Sequence, residues 1–176
     1  MKTKDMTLIA VMAALLCIAG PLTVAVGPVP LSLATFAVYM AGAVLGPKKG
    51  AAAAALYLLI GIAGIPVFSG FSGAFQKIAG VTGGYLIGYL PCAFLTGLGV
   101  RPGDSVSGWR LPLMMLAGTL VLYTVGTAWF VVQSGTSLGS ALSICVLPFL
   151  PGDAAKIAAV TALAGPVRRA LRFSAA

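Results

Sequence analysis

Apolar residues run through this chain in long blocks, cut by short breaks of Gly, Pro and charge. Residues 7–26 form the first block, with Gly20-Pro21 starting a break inside it. Further blocks cover 33–45, 51–65, 81–100, 111–132 and 152–171. None shows the period-2 alternation of a half-buried strand, so each reads as a helix. A spanning helix needs about 20 apolar residues, so six would occupy about 120 residues and leave short connections. The pattern predicts an all-α membrane protein, a six-transmembrane-helix bundle filling 1–176 as a single integral membrane domain.

The breaks differ in character. Gly27 to Ser32 reads GPVPLS, an uncharged loop, and Gly46 to Gly50 reads GPKKG, a tight basic turn. The stretch 66–80, PVFSGFSGAFQKIAG, is too polar and Gly-rich to span and predicts a loop with aromatic character. Residues 101–110 make a polar turn, and 133–147 an uncharged linker with room for a short surface helix. Pro91 predicts a kink in the fourth helix, and Gly84 and Gly88 share one of its faces.

Composition agrees. Hydrophobic residues make up 60% of the 176, and charged residues 8% against about 25% in soluble domains. The 23 Gly suit close helix packing in lipid. A signal peptide is the rival reading of the start, but the apolar run is long, ends in no A-x-A site and is followed by more of its kind. The net charge of +8 does not point to nucleic acid, because the basic residues form no stripe. Cys17, Cys92 and Cys145 are far apart and there is no His, which argues against disulfides and metal sites.

Charge then sets orientation. With six spans and both termini cytoplasmic, Lys2, Lys4, Lys48, Lys49, Arg101, Arg110, Arg168, Arg169 and Arg172 all fall inside, nine of the 11 basic residues. The two exceptions, Lys77 and Lys156, fall on the outer side with Asp153. Asp153 and Lys156 open the last block three residues apart, on one helix face. A charge at the bilayer centre costs about 2.5–3.5 kcal/mol or more, so such residues are functional candidates. A self-satisfied ion pair is the plainer alternative, and Lys77 snorkelling to headgroups is another. Two cations, one anion and an aromatic surround of Tyr57, Phe68, Phe71, Phe75 and Tyr85 suit a small ligand with a polar head and a carboxylate. On helix 1, Ala10 and Ala14, with Ala13 beside them, make a small-residue face fit for close helix contact.

Four stretches carry a resemblance: GPVPLSLATFAVYMAGAVLGPKKG from Gly27, GIPVFSGFSG from Gly64, TGGYLIGY from Thr82 and PGDAAK from Pro151. In this order the chain resembles the BioY family, the substrate-capture components of energy-coupling-factor biotin transporters. The resemblance implies a six-helix bundle that binds biotin near the outer face. It also implies partners: membrane lipid, a transmembrane coupling subunit and a cytoplasmic ATPase pair, in a prokaryotic plasma membrane. The capture protein would topple to carry its ligand inward. By the same resemblance Asp153 and Lys156 are the binding charges. Gly70–Gly73 and Thr82–Tyr85 match the Gly-rich loop and Tyr motif. The implied substrate set is Asp153, Lys156, Tyr85, Gly84, Phe68, Ser69, Gly70, Gln76, Lys77 and Tyr57. Ala10 and Ala14 match the face offered to the coupling subunit. Two positions depart: Ala34 stands before Thr35-Phe36 where the family commonly has Gln, and Val81 where it often has Pro.

No enzyme is expected, nor a cofactor or metal. There is no G-x-x-x-x-G-K-[ST], so ATP hydrolysis would come from partners. The same fold binding another vitamin, an intramembrane enzyme and a purely structural bundle are the rival readings. Three acids, none paired with another, and no His weigh against the enzyme. The structural bundle leaves Asp153, Lys156 and Lys77 unexplained.

Overall fold

The computed structural model describes residues 3–24, 31–100 and 108–173. Eight α-helices follow in order: α1 (Thr3–Ala19), α2 (Ala34–Leu45), α3 (Pro47–Ile62), α4 (Phe75–Ala79), α5 (Gly83–Leu98), α6 (Arg110–Ser134), α7 (Leu138–Cys145) and α8 (Leu150–Phe173). A two-residue ribbon, Thr23–Val24 against Leu31–Ser32, is antiparallel and lies between α1 and α2. By length and composition, α6 and the stretch Leu138–Leu171 can each cross a membrane, while α2 and α5 are shorter apolar helices. Large apolar side chains point outward along the bundle, including Ile18, Leu59, Leu120 and Val132 at 68%, 61%, 67% and 83% exposed. Lipid in place of water removes the cost of such surface.

Several boundaries differ from the sequence reading. Helix α1 stops at Ala19, because the Gly20 N–H closes the last turn on Leu16 O and Pro21 has no N–H to continue. The Gly46–Gly50 turn contracts to Gly46 alone. Its φ of +81° breaks the path between α2 and α3. Pro47 takes the first helical position, where a missing N–H costs nothing, so Lys48, Lys49 and Gly50 belong to α3. Lys49 pairs with Asp5 and ties α3 to α1. The 66–80 loop contains α4, and the 133–147 linker contains α7, capped by the Ser137 hydroxyl accepting from the Ser140 N–H. Pro91 lies inside a continuous α5. Lys2, Arg101 and most of the Gly27–Ser32 loop lie outside the described residues.

Close approach comes from glycine. A Cβ at Gly42 would sit 2.4 Å from Ala93 O, and one at Gly50 would sit 2.7 Å from Gly42 Cα. Helix α2 is thus pressed against α3 and α5 at one point. Between α5 and α6 the contact is longer and antiparallel: Gly84 meets Trp129, Gly126 meets the Tyr85 ring, and Gly88 meets Leu122. Helices without side chains at their crossings gain dispersion contacts that lipid cannot match. The α5–α6 pairing also fixes Tyr85 and Tyr123, which face the site.

Candidate functional site

The site grows from the first turns of α8. Asp153 is buried, with its side chain 5% exposed, and Lys156 is 11% exposed. The Lys156 ammonium donates to Asp153 Oδ1 at 2.9 Å, Thr35 Oγ1 at 2.7 Å and Ser32 O at 2.8 Å. An ammonium has three donors, and all three are used. The Tyr123 hydroxyl donates to Asp153 Oδ2 at 2.6 Å, and Thr35 Oγ1 lies 3.4 Å from Oδ1. A carboxylate offers about four lone-pair positions, so Asp153 keeps acceptor capacity on Oδ2. The cluster joins α2, α6, α8 and the ribbon. Charges buried this far are tolerable only when paired and hydrogen-bonded.

Above the cluster lies a pocket of about 600 Å³, counting its open mouth. Phe68, Tyr85, Leu86, Tyr89, Leu122 and Phe149 supply its apolar wall, and Ser69, Lys77 and Thr82 add polar groups. Its character is that of small-ligand sites, mostly apolar with a few placed polar groups. Phe68 is held firmly: its ring fills the space left by Gly61, and its backbone pairs with Ser72 in both directions. The Tyr85 hydroxyl bonds Thr127 at 3.1 Å.

Of the residues expected at the site, the fold brings Asp153, Lys156, Tyr85, Phe68, Ser69 and Lys77 to one pocket. Four others stand elsewhere. Tyr57 is fully buried beneath it, where its hydroxyl donates to Val67 O at 3.0 Å and its ring meets Phe68 edge-on. Gly84 faces α6, packed under Trp129. Gly70 supplies a turn at φ +71°. Gln76 is exposed and does not line the cavity. Of the expected aromatic wall, Phe71 and Phe75 point outward, 70% and 66% exposed. Ala10 and Ala14 are exposed along α1, while Ala13 is buried. Among the described residues, no group of three or more His, Cys, Asp or Glu gathers as a metal site.

Sequence reasoning passed over Ser32, Thr35 and Tyr123. Each is a neutral residue in or beside an apolar block, and Thr35 lies 121 positions from Lys156. The signal available was electrostatic: a buried Asp–Lys pair leaves lone pairs and donors that some hydroxyl must meet.

A helical bundle with apolar outer faces, a buried charge cluster and one polar-tipped pocket defines a membrane protein built to hold a small molecule. The BioY family model matches residues 1–173, and the chain belongs to the BioY family. It is 40% identical over 164 residues to a probable biotin transporter BioY of Pyrococcus horikoshii, covering 93% of this chain and 96% of that one. It is 34% identical over 155 residues to the biotin transporter BioY of Thermotoga maritima, at 88% and 89% coverage. The crystal structure of the S-component for biotin from an ECF-type ABC transporter superposes with a TM-score of 0.85 at 29% identity, covering 96% of this chain and 95% of that one. The family is one of transporter components, not enzymes.

Proposed function

We propose that this protein captures biotin at the outer face of a prokaryotic plasma membrane and delivers it inward as the S-component of an energy-coupling-factor transporter. The observation that carries the reading is the Asp153–Lys156 cluster opening onto an aromatic pocket, in a chain of this family. Biotin's ureido ring offers N–H donors, and Asp153 retains an acceptor position for one of them. The rings and methylenes of the ligand lie against Phe68, Tyr85 and Phe149, which line the pocket.

In this reading 1–176 is one multi-pass domain of six spans with both termini cytoplasmic. Lys156 acts mainly through Asp153, since its own donors are already engaged. Tyr57, Gly84 and Gly70 support the pocket, and Gln76, exposed on α4, takes no part in its lining. Ala10 and Ala14 meet a transmembrane coupling subunit, and a cytoplasmic ATPase pair supplies the work.

The test is mass spectrometry of protein purified from cells grown with biotin, followed by calorimetric titration of biotin and other vitamins. Stoichiometric biotin in the first and a preference for it in the second support the reading. Binding of a different vitamin in its place overturns it.

A further inference from the structure

The pocket has two polar regions in opposite states. Around Asp153 every Lys156 donor is occupied. Lys77 of α4 lines the same cavity, yet among the described residues its ammonium has no hydrogen-bond or ion-pair partner. Thr82 lines it too, and its side chain makes no cap bond to α5. Ser69, the third polar residue there, accepts from the Ser72 hydroxyl through its carbonyl only, which leaves its own hydroxyl open. One region is saturated, and the other is an unneutralised cation with two spare hydroxyls.

Helix α6 measures the distance between them. Asp153 is bonded at Tyr123. The end of α4 is bonded farther along, where Trp129 Nε1 donates to Gly80 O and Gln133 Nε2 donates to Ala79 O, both at 3.0 Å. Those positions are six and ten residues past Tyr123, or about 9 and 15 Å along the axis at 1.5 Å per residue. The backbone at the end of α4 and the Asp153 carboxylate thus meet α6 more than one helical turn apart, and Lys77 and Asp153 both line the cavity beside it. Three backbone bonds reach about 3.3–3.6 Å, so a five-bond valerate tail reaches about 6 Å, and the fused rings extend the ligand further.

We propose that Lys77, flanked by Ser69 and Thr82, is the carboxylate-binding end of the pocket, and that Lys156 does not contact the carboxylate. The assignment rests on the biotin reading and orients the ligand: ureido ring inward at Asp153, carboxylate outward at α4. It makes the protein selective for a free acid over its neutral derivatives.

The experiment compares biotin with its primary amide on wild type, Lys77→Gln, Lys77→Arg and Lys156→Met, by calorimetry on detergent-purified protein shown folded by its melting curve. Wild type is expected to prefer the acid by roughly 5- to 30-fold, toward the low end for charge-assisted hydrogen bonds because Lys77 is only half-buried. Lys77→Gln closes that gap, Lys77→Arg keeps it, and Lys156→Met weakens acid and amide alike. If Lys77→Gln keeps the full preference, or Lys156→Met alone removes it, the assignment fails while the biotin reading stands. A wild type without preference also overturns it, and places Lys77 among the lipid headgroups. If wild type binds neither compound, the biotin reading itself is overturned, and the assignment with it.

Discussion

Removing the charges of α8 singly and together separates what they do for the fold from what they do for the ligand. In Asp153→Asn the carboxylate that meets Lys156, Tyr123 and Thr35 becomes neutral. Lys156 is then left 11% exposed with no counter-charge. Breaking a buried pair from one side costs about 3–5 kcal/mol, whereas replacing both partners is often close to neutral. Both Asp153→Asn and Lys156→Met should therefore lower the melting temperature in detergent. The double variant should recover much of the loss. Ligand affinity follows a different order. Asp153 loses a charge-assisted contact of about 1.5–3 kcal/mol, which is roughly 10- to 150-fold in Kd. The double variant lacks that contact too, so its affinity stays low while its stability returns. Melting curves and calorimetric titrations on the same four proteins read both quantities. If affinity recovers together with stability, Asp153 serves the fold alone and the ligand is held elsewhere. If neither single variant changes either quantity, the reasoning from burial is wrong.

Three further outcomes are expected. Replacing Ala10 and Ala14, both exposed on α1, by Leu should abolish coupled uptake in cells and leave biotin binding by the purified protein intact; an equal fall in binding would mean that they only pack the bundle. In a background without Cys17, Cys92 and Cys145, single cysteines at 27–30 and 134–140 should label from outside, and cysteines at Lys48 and 101–110 should not; the reverse pattern would invert the topology and move the pocket to the inner face. Gly84→Ala puts a methyl 2.3 Å from Trp129 Cβ, so α5 must shift from α6 at a cost of about 1–3 kcal/mol, seen as a lower melting temperature; an unchanged curve would show that the α5–α6 contact is looser than described.

The helices were legible because apolar blocks of this length leave the backbone little choice in lipid. Their ends were less so. Pro47 begins α3 where GPKKG suggested a turn, since Pro suits a first helical turn and a loop equally well. Asp153, Lys156 and Lys77 stood out because charge is scarce in the chain and the other nine basic residues gather in the segments expected on the cytoplasmic side. Tyr57 and Tyr85 are both aromatic residues in apolar helices, yet one lies below the cavity and the other lines it. That difference depends on which helix faces which, and contacts such as Gly61 against Phe68 and Gly126 against Tyr85 leave no mark in the sequence. Thr35 and Tyr123 became visible only when α2 and α6 were brought against α8.

The three-residue spacing of Asp153 and Lys156 also bears on how the protein is made. Their partners Ser32, Thr35 and Tyr123 are all synthesised earlier and are all neutral. The groups that will receive Asp153 and Lys156 are therefore uncharged before the last helix arrives. When α8 is delivered to the bilayer, its anion and cation arrive within one turn of each other, already able to neutralise one another through the Oδ1–Nζ contact. The insertion machinery handles a dipole in place of two ions. The hydroxyls of α2 and α6 then need only accept a pre-assembled pair, so the costliest element of the pocket enters the membrane in its least costly form.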